Sequence, residues 1–81
     1  ITCNVYCSIK QLLFFSDFNG NIYCYELKDK NIHFNYKNKI TKYEIENIVV
    51  DKSEEYLLIS CSNGVCYLCD IKNECTIILI L

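Results

Sequence analysis

The chain repeats itself. The stretch LLFFSDFNGNIYCYELKDK (Leu12–Lys30) overlays YLLISCSNGVCYLCDIKNE (Tyr56–Glu74) without a gap, at an offset of 44 residues. Identical pairs are Leu13/Leu57, Ser16/Ser60, Asn19/Asn63, Gly20/Gly64, Tyr23/Tyr67 and Lys28/Lys72. Phe14/Leu58, Phe15/Ile59, Glu26/Asp70 and Leu27/Ile71 are conservative pairs, and the match reaches upstream to Ile1/Ile45 and Val5/Val49. Both of the chain's glycines fall at the same place in the overlay. A period of about 40–45 residues marks folds made by stacking one supersecondary unit that cannot bury its apolar face alone. The 81 residues hold two such units and at most one small domain.

Each unit reads as strands. Asn-Gly between two apolar runs is a strong hairpin signal, because a type I′ turn needs positive φ at both central residues. Leu12–Asp17 is therefore expected to pair with Asn21–Leu27 across Asn19-Gly20, and Tyr56–Cys61 with Val65–Ile71 across Asn63-Gly64. IENIVV (Ile45–Val50) precedes the polar turn DKSEE (Asp51–Glu55), and IHFNY (Ile32–Tyr36) and CTIILI (Cys75–Ile80) follow as outer strands. The strands are rich in Ile, Val, Tyr and Phe and apolar on both faces, as in a sheet sandwiched between neighbours. The expectation is all-β, with four strands per unit and no helix.

Composition narrows the function classes. With 52% apolar residues the chain is no disordered tail. A net charge of −2 supplies no drive toward nucleic acid or acidic membranes, so neither is expected as a partner. The longest apolar run, Ile77–Leu81, is far short of the roughly 20 residues of a membrane span. The chain contains no Met and opens on Ile1, which predicts a piece of a longer product.

Seven cysteines is an odd count, their spacing is irregular and no secretory signal accompanies them. Free thiols in a reducing compartment, cytoplasmic or nuclear, are the expectation. Cys66-x-x-Cys69 and Cys3-x-x-x-Cys7 raise a zinc module as an alternative. Against it, residues three apart on a strand face opposite ways, and free Cys packs as a small hydrophobe. No motif calls for a cofactor. His33, the one histidine, reads as a sheet residue rather than a catalyst, and no enzyme is expected. Glu26 and Asp70 read as strand-end hydrogen-bonding groups rather than general acids or bases.

The course EEYLLISCSNGVCYLCDIKNE (Glu54–Glu74) resembles the WD-repeat β-propeller family. Such a repeat runs through an apolar strand, a polar turn, a YLLS-like strand, an Asp-Gly turn and a strand ending in Trp-Asp. Cys69-Asp70 stands where Trp-Asp belongs, and Tyr25-Glu26 stands there in the first unit. Neither Trp is present, and KNKITKYE (Lys37–Glu44) offers no Gly-His pair. The resemblance implies that the family's buried His–Asp–Ser–Trp network is broken here, with only Ser60, Asn63 and Asp70 left to supply remnants of it. GNIYCYELKDKN also resembles the quinone-enzyme propeller repeat, with Tyr23 and Tyr67 third after each glycine. A fragment of such an enzyme is the second alternative.

The resemblance implies two blades of an incomplete propeller ring, blade 1 at about 1–37 and blade 2 at about 43–81, with the remaining blades in the same polypeptide. It implies a non-catalytic scaffold that binds protein partners on its rim or top face. The hairpin turns and the KNKITK connector (Lys37–Lys42) are expected to share one rim. Asp17, Phe18, Lys39 and Ser62 are the rim positions expected to contact a partner. Phe18 is either tucked under its turn or exposed as an aromatic anchor.

Overall fold

The computed structural model describes residues 2–81. It is all-β: two four-stranded antiparallel sheets, each a meander in chain order. Sheet A contains β1 (Asn4–Cys7), β2 (Leu12–Ser16), β3 (Asn21–Lys28) and β4 (Asn31–Lys39). Sheet B contains β5 (Ile45–Val50), β6 (Tyr56–Cys61), β7 (Cys66–Asp70) and β8 (Thr76–Ile80). The expected absence of helix needs one correction: Ile71–Asn73 forms a turn of 3-10 helix before β8. Among the described residues no helix is long and apolar enough to cross a membrane.

The duplication extends to the backbone. The β3–β4 pairing is broken by a bulge between Cys24 and Tyr25, and β7–β8 by one between Leu68 and Cys69, the repeat-equivalent positions. A bulge inserts an unpaired residue and bends its strand. Sharing it keeps the outer strands in step, so that Tyr36 opposite Cys24 corresponds to Leu79 opposite Leu68. Phe34 opposite Tyr25 likewise corresponds to Ile77 opposite Cys69.

The two sheets share one core, yet they present opposite faces of the repeat to it. Sheet A turns in Val5, Leu12, Phe14, Ser16, Ile22, Cys24 and Tyr36. Sheet B turns in Ile48, Val50, Leu57, Ile59, Cys61, Cys69 and Ile77. Phe14 is inside while its equivalent Leu58 lies on the outer face of sheet B. Ile59 is inside while its equivalent Phe15 lies on the outer face of sheet A. Side chains alternate along a strand, so one position decides the face of the whole strand. The interface is thus head-to-tail, the back of one unit on the front of the other. Fully burying side chains such as Phe14, Ile22, Leu57 and Ile59 contributes about 1.5–3 kcal/mol each.

Polar contacts fix the stacking. The Lys10 N–H donates to Glu54 Oε1 at 2.9 Å, and these two residues are themselves 44 apart. At the outer end the Tyr36 hydroxyl donates to the Ile71 carbonyl at 2.9 Å, and Asn38 Nδ2 donates to the Cys75 carbonyl at 3.0 Å. The closest backbone approach between the sheets is along β1 and β5. Toward β4 and β8 they separate. A polar cleft of about 580 Å³ opens there, lined by Lys37, Asn38, Lys72, Asn73, Glu74 and Thr76.

Two local expectations are corrected. The type I′ geometry does not fall on Asn-Gly: Gly20 and Gly64 have φ of 77° and 84°, but Asn19 and Asn63 are not in the left-handed region. Each loop is a tight turn followed by a left-handed glycine. The Gly20 N–H donates to the Asp17 carbonyl at 3.3 Å and the Gly64 N–H to the Cys61 carbonyl at 3.0 Å. Paired positive φ occurs instead at Asp29 and Lys30, 53° and 65°, in the two-residue link from β3 to β4. The KNKITK segment is also not wholly a connector. Lys37–Lys39 continues β4, so sheet A runs past 37, and the linking segment is 40–44.

Candidate interaction rim

Register places the four expected rim residues at one end of the molecule. The β2–β3 turn carries Asp17 and Phe18, and Lys39 closes β4 opposite Asn21, the first residue after that turn. The β6–β7 turn carries Ser62, the repeat-equivalent of Phe18. Segment 40–44 runs between them. The Ile40 N–H donates to the Gly20 carbonyl at 2.9 Å, and the Ser62 N–H donates to the Glu44 carbonyl at 2.9 Å. The rim is therefore a continuous hydrogen-bonded strip from the first turn to the second.

Asp17 organises its turn from within. Its Oδ1 accepts from the Asn19 N–H at 2.9 Å and the Asn21 N–H at 3.0 Å. Asn21 Nδ2 donates to both oxygens, at 3.2 and 2.9 Å, and the Tyr23 hydroxyl donates to Oδ2 at 2.8 Å. Desolvation pushes the carboxyl upward, but the hydrogen bonds from Asn21, Tyr23 and Asn19 together outweigh it and hold it down at about 2. The bond to Asp17, with some desolvation, pushes the Tyr23 hydroxyl up from 10.0. Sequence reasoning placed Asp17 on the rim but missed this lock. Its signal was legible: an Asp at the head of Asp-x-x-Gly bonds the backbone two residues on.

Phe18 answers the question its position raised. It stands 67% exposed at the tip, not folded under its turn. Ser62 and Lys39 are exposed as well. The turn supporting Phe18 is braced from below, because a Cβ on Gly20 would lie 1.9 Å from the Thr41 carbonyl oxygen. Segment 40–44 thus packs directly on the glycine. Gly64 has no such neighbour within 4 Å, so the Ser62 turn is less supported. Tyr43, from the same segment, is 40% exposed, with Lys42 Nζ 5.4 Å from its ring centroid.

The other candidates fall elsewhere. Cys66 and Cys69 point to opposite faces of β7: Cys69 is buried in the core, and Cys66 lies outside beside the Ser60 hydroxyl at 3.6 Å. Burial pushes the thiols of Cys69 and Cys75 up to about 12 and that of Cys7 to about 11, away from the thiolate a metal binds. Among the described residues no three or more His, Cys, Asp and Glu side chains gather as a metal site requires. His33 is exposed on β4 opposite Glu26. Asp70 accepts a hydrogen bond from Asn73 at the end of β7. Glu26 is exposed, and among the described residues its side chain has no hydrogen-bond partner of the kind expected of it. Ser60, Asn63 and Asp70 bond to Cys66, Val65 and Asn73 and do not join into a network. In sheet A the corresponding Ser16 is buried, sharing a 2.7 Å hydrogen bond with the Thr2 hydroxyl and accepting the Cys3 N–H at 3.0 Å.

No family model matches the chain, and no curated protein matches it.

Proposed function

We propose that the chain is part of a WD-repeat-like β-propeller and serves as a non-catalytic scaffold, binding protein partners through the rim that carries Phe18, Lys39 and Ser62. The observation that carries this reading is the head-to-tail use of the repeat faces. Two sheets sandwiched by like faces would expose two copies of the same opposite face, and no further unit could be added by repeating the contact. Sheets stacked back on front leave one front and one back for further units, as in a propeller ring. The close approach at β1 and β5 and the cleft toward β4 and β8 support a fan of blades about an axis beyond β1. The incomplete ring, and further blades from the same polypeptide, belong to the same proposal.

The rim binds by preorganisation. The Asp17 hydrogen bonds, the close packing on Gly20 and the Ser62–Glu44 bond hold the loops before any partner arrives. Ordering on binding then costs little. Phe18 is the anchor, and Lys39 adds a cation that favours an acidic partner segment. Asp17 positions the anchor rather than contacting the partner, because its oxygens are already engaged.

The test is a peptide-display selection against the folded chain. Selected peptides are expected to lose about tenfold or more in affinity with Phe18→Ala, a hot-spot-sized effect. They should be indifferent to Ile9→Ala, which changes an exposed residue in the opposite turns. Binders unaffected by Phe18→Ala, Lys39→Ala and Ser62→Ala would remove the rim reading.

A further inference from the structure

Each sheet has an uncovered outer face. On sheet A that face carries Tyr6, Phe15, Tyr25 and Phe34. Phe15 and Tyr25 meet edge to face at 5.7 Å, and Tyr25 and Phe34 at 5.5 Å. Tyr6 is 47% and Phe34 59% exposed. On sheet B the outer face carries Val49, Leu58, Leu68 and Leu79, with Val49 50% and Leu79 49% exposed. Contiguous apolar surface of this kind on a small chain marks an interaction site.

The internal interface identifies the occupant. Val49, Leu58, Leu68 and Leu79 correspond to Val5, Phe14, Cys24 and Tyr36, the face with which sheet A packs on sheet B. Tyr6, Phe15, Tyr25 and Phe34 correspond to Val50, Ile59, Cys69 and Ile77, the face with which sheet B receives it. The two uncovered faces are thus the repeat-equivalents, with other apolar side chains, of the two sides of a contact the molecule already makes once.

We infer that the isolated chain associates with second copies of itself head-to-tail, the Leu58 face of one copy seating on the Phe15 face of the next. The contact is heterologous: no two-fold axis relates its sides, and an open assembly retains one free face of each kind, at its two ends, until it closes. The inference rests on the blade reading of the sheets and is independent of what the rim binds.

Sedimentation of the 81-residue chain tests it, together with two double variants confined to exposed positions. Tyr6→Glu/Phe34→Glu blocks one face and Val49→Glu/Leu79→Glu the other. The wild type is expected to sediment as two or more copies at tens of micromolar, and each variant as a monomer. An equimolar mixture of the two variants is expected to form a one-to-one dimer, since one intact face of each kind remains. A monomeric wild type overturns the inference. So does either variant assembling as fully as the wild type, which means like faces pair, or a mixture that stays monomeric while both variants keep the strand circular dichroism of the wild type.

Should a variant lose that spectrum, cysteine alkylation of the wild type decides. Cys66 lies on the outer face of sheet B, at the position corresponding to the fully buried Ile22. Its alkylation rate is expected to fall severalfold as concentration rises through assembly, while that of Cys3, which faces Ile45 within the molecule, stays constant. A concentration-independent Cys66 rate overturns the inference without touching the rim reading.

Discussion

Asp17 shows how one side chain couples local chemistry to the geometry of the proposed rim. Its carboxylate accepts from the backbone N–H groups of Asn19 and Asn21 and from the side chains of Asn21 and Tyr23, so the charged form holds the Phe18 turn together. Folding lowers its carboxyl from the ordinary 3.8 to about 2. The stability this supplies is therefore complete above pH about 4 and is lost as pH falls through about 2. Asp17→Asn puts an amide N–H₂ where Oδ2 accepted, facing donors on Asn21 and Tyr23. The variant is expected to unfold at lower urea than the wild type at pH 7. The difference should narrow as both are titrated from pH 4 toward pH 2. A difference that stays constant over that range would show that the charge is not what holds the turn.

At the scale of elements, hydrophobic patterning reached furthest where one face of a strand is buried. β5 and β6 have the expected bounds, Ile45–Val50 and Tyr56–Cys61; β6 alternates into the core, and β5 buries Ile45 and Ile48 on either side of an irregularity in its pairing. β4 runs farther than its apolar pattern indicates, because its end, Lys37–Lys39, has the composition of a solvated loop. An edge strand tolerates lysines, and there they discourage further strand pairing. The Asn-Gly pairs do mark the turns, but each loop closes on three residues rather than two, a difference that composition does not carry. Nor did the pair of identical motifs reveal that the turns differ in support. Gly64→Ala meets only the strain of a left-handed residue, about 1–2 kcal/mol. Gly20→Ala meets the same strain and also collides with the Thr41 carbonyl, adding about 1–3 kcal/mol of overpacking. Chemical denaturation of the two variants is expected to rank Gly20→Ala clearly the more damaging. Equal losses would mean that segment 40–44 moves aside freely and does not brace the Phe18 turn.

For the molecule as a whole, the decisive property is which faces of the units meet, and the repeat alone could not supply it. Leu13 and Leu57 are identical in the overlay, yet only Leu57 is fully buried. Both faces of each strand are apolar, so patterning was compatible with either choice, and only packing broke the tie. The consequence is a shared core with no apolar layer belonging to one sheet alone. Phe14, Ile22 and Cys24 from sheet A and Leu57, Ile59 and Cys69 from sheet B belong to the same cluster. Neither sheet has a second covered face to fall back on, so loosening one removes the support of the other. Leu57→Ala removes a side chain from β6 and is expected to destabilise the chain by about 2–5 kcal/mol. Hydrogen exchange locates where that loss is felt. If the sheets open together, slow amides in β2 and β3 lose as much protection as those in β6 and β7, though none of them is near the substitution in sequence. If protection falls in sheet B while β2 and β3 keep theirs, the sheets are separate cooperative units. The core would then be a contact between two independently folded pieces rather than the reason either one is folded.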